Sequence, residues 1–311
     1  MSLVRPKIDV CVATYNRPQL LRKLLLSLVA QKTGDEFTFT IIVADNDAQC
    51  SAEPVVRELN ANGQKIIYAV EPRQNISLAR NKALSHATGD YIATIDDDEY
   101  ADSSWLLHLY RAITSLNTDV VHGPVIPEFP PKTPRYIREG FMRPNPPTGS
   151  TKSYILNAGN TLFRRTLVEV MTTPFDPRFG RTGGEDTAFF FDLKRRGCRM
   201  TWCREALVFE AVSSTRTSLV WLLKRKFRHG NLYPRYHGYS KPIRGAQFCF
   251  SCLQLPRLGC RVLFFMIGGI FSSKCYKHGI ASLLDIPFRL GILAHYVNFD
   301  VGNRDEDVSD I

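Results

Sequence analysis

Residues Tyr91-Ile92-Ala93-Thr94-Ile95 form a short apolar run rich in β-branched side chains, and Asp96-Asp97-Asp98-Glu99 follow it without a spacer. The run reads as a buried strand. Four adjacent carboxylates repel one another, so a fold that gathers them neutralises them with arginines or with a cation. Oxygen-only ligands suit a hard divalent ion such as Mg2+ or Mn2+. In open α/β sheets, ligands sit outside the carboxyl ends of strands, where this cluster falls. The other reading is a solvated acidic turn capping a helix near Asp102, and the neighbouring segments decide between the two.

Those segments alternate strand and helix. Ile8–Thr14 reads as a first strand, and Tyr15-Asn16-Arg17-Pro18 turns into a helix whose Leu20, Leu21, Leu24, Leu25 and Leu28 recur at helical spacing. Phe37–Ala44 is a second β run ending in Asp45-Asn46-Asp47, and Lys65–Val70 a third. A helix over Ile76–Ala87 starts from Asn75 or Ser77 as its cap. After the acidic strand come a helix over Ser103–Ser115 and a strand over Asp119–Val125. This order predicts an α/β fold, a Rossmann-like, mostly parallel sheet with helices on both faces.

Beyond it, Ile126–Ser150 carries seven prolines and reads as a long loop. Ser153–Phe163 resumes β character around Asn157-Ala158-Gly159-Asn160. The loop Gly180–Gly184 leads into a helix from Glu185 to Arg195, with Glu185 and Asp186 in its first turn, where the helix dipole favours anions. Met200–Phe209 reads as a strand and Leu219–Arg228 as a basic helix. Val262–Phe271 is apolar for ten residues, fewer than a membrane-spanning helix needs, and Ile280–Phe299 carries few charges. With Arg257, Arg261, Lys274 and Lys277 nearby, this region is either an interfacial segment or a buried hairpin. The expected organisation is a main domain over 1–245, made of halves 1–125 and 126–245. An apolar helical segment over 246–300 and a flexible tail over 301–311 complete it.

The formal net charge is +10, which points to an anionic partner. The excess is local: Lys194 to Arg244 holds thirteen Lys and Arg against Glu205 and Glu210. Of eight cysteines, Cys249 and Cys252 have CxxC spacing, but no second pair or His follows at zinc-finger distance. No secretory signal is recognised at the start, and a cytoplasmic, reduced setting is expected.

A parallel sheet would bring Thr14-Tyr15-Asn16-Arg17, Asp45, Asn75–Asn81 and Asp96–Glu99 to one edge. That edge offers a hydrogen-bonding group for a base, arginines for phosphates and acids for a metal. Neither GxGxxG nor GxxxxGK[ST] occurs, which argues against dinucleotide dehydrogenases and P-loop enzymes.

The series CVATYNRP, VADNDA, NISLARNKAL, TGDYIATIDDDE, GGEDTAFF and WLLKRKFRHG, over residues 8 to 230, resembles family 2 inverting glycosyltransferases of the GT-A fold. Within them it is similar to the subgroup that builds bacterial exopolysaccharide repeat units of the succinoglycan type. The resemblance implies that Asp45 accepts a hydrogen bond from the uracil of a UDP-sugar, with Thr14 and Tyr15 in the same pocket. It places Arg17 and Arg80 near the diphosphate. Asp96, Asp97 and Asp98 would carry the DXD motif, with Asp98 the first metal ligand and Asp96 or Asp97 meeting the ribose or the metal shell. Asp186 would be the catalytic base, and Glu185 an acceptor contact or the alternative base. Arg225 and Arg228, three apart on one helix face, read either as a clamp for a diphosphate or an acceptor phosphate or as a solvated basic face. Related sequences often carry a His where Phe209 stands; Phe209 cannot ligate, so either Glu210 substitutes or the metal has only aspartate, phosphate and water ligands.

The reading is therefore a metal-dependent (Mn2+ or Mg2+) enzyme that moves a sugar, glucose first, from a UDP-sugar to a lipid-linked oligosaccharide. It would work at the cytoplasmic face of a bacterial inner membrane, in peripheral contact with anionic lipid. A nucleotidyltransferase acting on a sugar phosphate is the alternative, although no Gly-rich, Lys-containing loop opens the chain. A nucleic-acid binder would leave the acids without a purpose.

Overall fold

The computed structural model describes residues 5–151, 157–237, 241–269 and 272–297. The expected 301–311 tail lies outside the described residues. In chain order the first elements are β1 (Lys7–Thr14), α1 (Pro18–Val29), β2 (Thr38–Asp45), α2 (Glu53–Ala61), β3 (Ile66–Val70) and α3 (Ile76–Ser85). Next come β4 (Tyr91–Ile95), β5 (Glu99–Ala101), α4 (Trp105–Ser115), β6 (Val120–His122), β7 (Val125–Glu128) and α5 (Arg135–Phe141). Then follow β8 (Asn160–Arg164), α6 (Thr166–Glu169), α7 (Glu185–Arg195), β9 (Met200–Trp202) and β10 (Val208–Ala211). The last helices are α8 (Leu219–His237), α9 (Lys241–Gly269) and α10 (Ser273–Tyr296). The chain divides into two compact units, Met1–Ile126 with Arg143–Ala211, and Pro127–Met142 with Val212–Ile311.

The first unit is built on a seven-stranded sheet of order β3-β2-β1-β4-β8-β6-β9. β1 lies parallel to β2 on one side and to β4 on the other, with Thr14 level with Asp45 and Cys11 with Thr94. The order reverses at β1, and a crevice opens there beyond the carboxyl ends. Six of the seven strands run the same way, as the mostly parallel expectation has it, and the sheet is mixed through β8 alone. β8 runs antiparallel to both β4 and β6, while β6 and β9 are parallel. Strand direction leaves no trace in an apolar run, so the reversal was invisible in sequence. It matters for the site, because Asn160 at the start of β8 is level with Ile95 at the end of β4.

β1 is buried on both faces, as a central strand should be. Ile8, Val10 and Val12 pack with Leu21, Leu24, Leu25 and Leu28 of α1 and with Trp105 and Leu109 of α4. Cys11, between them in the alternation, joins Ala79 and Ala83 of α3 and Phe163, Phe189 and Phe190 on the opposite face. Two expected strands divide. Asp119–Val125 is interrupted at Gly123-Pro124, where proline cannot donate to a ladder, giving β6 and β7. Met200–Phe209 breaks into β9 and β10 around the turn at Arg204-Glu205. β5, β10 and β7 form a second sheet in that order. The expected loop over 126–150 contains the end of β7 and the whole of α5.

The second unit is helical. Its core takes Ile137 and Phe141 of α5, Leu222 of α8 and Ile280 and Leu284 of α10. α8 and α10 cross through glycine: a Cβ on Gly230 would meet the Phe288 carbonyl oxygen at 1.9 Å, and one on Gly291 the Phe227 oxygen at 2.0 Å. α8 continues nine residues beyond its expected end. The ten-residue apolar run is part of α9, 29 residues long. Phe248–Phe265 in α9 is long and apolar enough to cross a membrane by length and composition.

Candidate active site

Asp45, the last residue of β2, is fully buried. Its Oδ2 accepts from the Ala52 amide at the start of α2 and from the Tyr68 hydroxyl, each at 2.8 Å, and its Oδ1 accepts from the Asp47 amide at 3.1 Å. Burial, followed by the Asp45 carboxylate, pushes the Tyr68 phenol upward. Tyr68 was not expected here. Sitting in the apolar run Ile66–Val70, it reads as one more strand aromatic. Asn46 holds the adjoining loop, donating to the carbonyls of Glu71 and Arg73 and accepting from the Asn75 amide. Tyr15 is half-buried and follows Thr14 at the end of β1.

The acids after β4 are arranged differently. Asp97 accepts from the Thr14 hydroxyl at 2.8 Å and from Arg17 at 3.2 Å, and Asp98 Oδ2 lies 3.7 Å from the same Arg17 nitrogen. Asp96 Oδ1 accepts from Arg80 at 2.7 Å, and Arg80 donates through Nε to Glu185 Oε1 at 3.3 Å. Arg80 is buried, and its two prongs join the acidic strand end to the first turn of α7. Glu99 turns back to accept from the Asp96 amide at 3.0 Å. It faces Glu210 across the β5–β10 pair, while Phe209 stacks on Tyr100 at 5.2 Å. A side chain at position 159 would meet Glu99 Oε1 at 2.6 Å, so Gly159 makes room for the turned-back glutamate.

The charge balance is acidic. Asp96, Asp97 and Asp98 gather around Arg17, and Asp96, Glu185 and Asp186 around Arg80, while Glu99 lies against Asp96, Asp98 and Glu210. Burial, with Asp96 and Asp98 adding to it, pushes Glu99 well above the usual carboxylate range. Burial also raises Asp97, and wins over Arg17. Asp186 is pushed up to about 6, first by its recessed position and then by the charge of Glu185.

α3 and the approach to α7 are tied side chain by side chain. Asn75 donates to the Pro177 carbonyl, Ser77 to the Asp176 carbonyl, and Asn81 exchanges bonds with Phe175. Gly183 and Gly184 follow at φ of 81° and 87°, values that favour glycine, and Gly184 caps α7 without a side chain. Glu185 is buried, and its Oε2 has no hydrogen-bond partner. A buried acceptor left open in this way is costly unless a ligand supplies the donor.

Among the described residues, no three His, Cys, Asp or Glu side chains gather into an all-protein metal cage. Asp98, with Asp96 beside it, offers carboxylate oxygens at the crevice. That donor set fits a Mg2+ or Mn2+ ion that takes its other ligands from phosphate and water. Arg225 and Arg228 belong to α8 of the second unit, and the Arg225 guanidinium stands over Phe141 and Trp221 at 5.5 and 5.2 Å.

The model of the family "Glycosyl transferase family 2" matches residues 9–172. The chain is 37% identical to the succinoglycan biosynthesis protein ExoM of Rhizobium meliloti over 233 residues, 73% of this chain and 74% of that one. It is 25% identical over 253 residues to the glucosyl-dolichyl phosphate glucuronosyltransferase of Haloferax volcanii, covering 76% and 77% of the two chains. The fold resembles that of S. aureus TarS 1–349 in complex with UDP, with a TM-score of 0.55 at 17% identity over 94% of this chain and 92% of that one.

Proposed function

The chain belongs to glycosyl transferase family 2, and from that premise we propose that it is an inverting hexosyltransferase moving glucose from UDP-glucose to a lipid-linked oligosaccharide in polysaccharide biosynthesis. Its place of work would be the cytoplasmic membrane face, in peripheral contact with anionic lipid. The observation that carries the reading is the bridge from Asp96 through Arg80 to Glu185, which sets the carboxylates of the donor side against the recessed Asp186. A uridine nucleotide is supported by the likeness to TarS 1–349 in complex with UDP, and a lipid-linked acceptor by the relative named a glucosyl-dolichyl phosphate glucuronosyltransferase.

In this mechanism the Asp45 pocket holds the base. Tyr68, Ala52 and Asp47 fix the Asp45 carboxylate so that it needs no rearrangement when the uracil N–H arrives. Asp98, with Asp96 at its side, would hold Mn2+ or Mg2+, and when bound the ion offsets the charge that develops on the departing diphosphate. Glu185 Oε2 accepts from an acceptor hydroxyl, which meets the requirement of its buried, open oxygen. Asp186 takes the proton from the attacking hydroxyl. The new bond joins that oxygen to the anomeric carbon as the bond to the diphosphate breaks on the opposite face, so the configuration inverts.

Calorimetry against UDP, UDP-glucose, UDP-galactose and GDP-mannose, with and without Mn2+, tests the donor assignment. Manganese-dependent UDP binding that is lost in Asp98→Ala is expected. No UDP binding with or without Mn2+ would overturn the assignment. In turnover, UDP is the expected by-product, and pyrophosphate would identify a nucleotidyltransferase.

A further inference from the structure

Between Ala211 and Leu284 there is no Asp or Glu, while twelve Lys and Arg occur there. α9 lies within this stretch and has two unlike sides. Leu258 and Ser251 are buried on one side. On the other, Cys249, Leu253, Pro256, Cys260, Leu263 and Ile267 are all exposed. At 3.6 residues per turn these six fall within about 40° of a single line. Leu253, Leu263 and Ile267 are each about two-thirds exposed, at 64, 68 and 65%. The stripe is therefore apolar and exposed along its length.

Length and composition alone would allow α9 to cross a bilayer. The positions of its cations oppose that. Arg257 is exposed and lies about 13 Å along the axis from Phe248 and about 18 Å from Gly269. A crossing helix would hold its charge at mid-membrane, out of reach of either headgroup layer. Arg257 and Arg261 instead lie to one side of the stripe, at about 80° and 120° from its centre line. With the stripe facing acyl chains and the axis parallel to the surface, both guanidiniums reach the headgroup level.

We propose that α9 lies in the plane of an anionic bilayer surface, with the stripe from Cys249 to Ile267 embedded among the outer acyl carbons. The proposal rests on the membrane-face reading above and specifies the element that makes the contact and its geometry. A second copy of the chain fits the stripe less well, because Arg257 and Arg261 beside it would be brought toward the same two arginines of the other copy. Nucleic acid would leave the apolar stripe in water.

Two native thiols on the stripe allow a direct test. Cys249 and Cys260 are eleven residues apart on one face, about 16 Å along the helix. Full-length protein with Cys50, Cys198, Cys252 and Cys275 changed to Ser is labelled with a fluorophore, at Cys249 in a Cys260→Ser chain and at Cys260 in a Cys249→Ser chain. Both are mixed with vesicles of phosphatidylcholine containing phosphatidylglycerol and brominated at graded acyl depths. The expected result is the same shallow depth for both labels. A depth difference approaching the helical separation would overturn the proposal in favour of a crossing helix. Absence of quenching, or of vesicle binding, would overturn it outright.

Leu253→Glu with Leu263→Glu, in the unlabelled chain, should weaken binding to the phosphatidylglycerol vesicles at least tenfold without lowering the melting temperature. Lipid-free dimerisation that this variant abolishes would assign the stripe to a second copy. UDP binding is measured on the same samples. If it persists while the depth result fails, only the in-plane geometry falls; if UDP binding is absent from the unsubstituted protein as well, the glycosyltransferase reading falls.

Discussion

Asp45 and the Asp96–Glu99 cluster both stand at carboxyl ends of strands in the same sheet, one strand apart across β1, yet they are stabilised in opposite ways. Asp45 receives three donors from its own neighbourhood, two amides and the Tyr68 hydroxyl. Its charge is settled before any ligand arrives. The cluster shares Arg17 and Arg80 among many carboxylates, and Glu185 keeps an open oxygen. A pocket of the first kind suits a neutral base, read by shape and hydrogen bonds. A site of the second kind suits a ligand that brings positive charge and polar hydrogens. The contrast separates recognition from chemistry within a few residues.

Four experiments break or sharpen that contrast. The largest effect is expected for Asp186→Asn, which keeps the shape but cannot accept a proton. Steady-state kinetics should show kcat falling about 10^3-fold, with UDP affinity changed less than threefold by calorimetry, on the order of 0.6 kcal/mol. A matching loss of UDP affinity would merge the two regions into one.

Next in size is Arg80→Ala. It leaves Glu185 and Asp96 without their shared cation, and removing one partner of a buried pair costs about 3 kcal/mol. Because Asp96 is partly exposed, the loss should fall at the lower end, read as a reduced urea midpoint. Arg80→Lys keeps the charge but cannot hold two carboxylates with a planar fork, so it should restore stability more than kcat.

Tyr68→Phe should cost about 1–2 kcal/mol of stability, since a buried carboxylate oxygen loses a donor. The manganese dependence of UDP binding should not change. If it did, the Asp45 pocket and the acidic cluster would not be independent.

The smallest effect concerns pH. Asp186, raised to about 6, is protonated below that value and cannot act as a base. The kcat profile should therefore rise through pH 6 and level off above it. Glu185→Gln removes a charge that raises Asp186, so the acidic limb should move to lower pH. A limb that stays in place would mean that another group controls it.

Much of this was legible in the sequence. β1, β2 and β4 are recognisable because strands buried on both faces are apolar nearly throughout, and their polar ends point to the site. The family resemblance is carried by the same segments. Less legible was everything that depends on partners far apart in sequence. The charge of Arg80 is plain in NISLARNKAL, but its engagement with Asp96 and Glu185 is decided by packing. Tyr68 carries no local mark of its hydrogen bond. The direction of β8 is absent from its alternation. In α9, arginines and Pro256 interrupt the hydropathy without interrupting the helix, so only its last apolar run stood out.

The ties from α3 and its cap to α7 and the segment before it span 94 to 105 residues of chain. Contacts of such separation form late, because the intervening chain must be closed first. Asp45 and Asp96–Glu99 all leave the ribosome before Phe175 is made. The seat of Asp186 is thus closed onto the crevice only after the Asp45 pocket and the acidic strand end have been made.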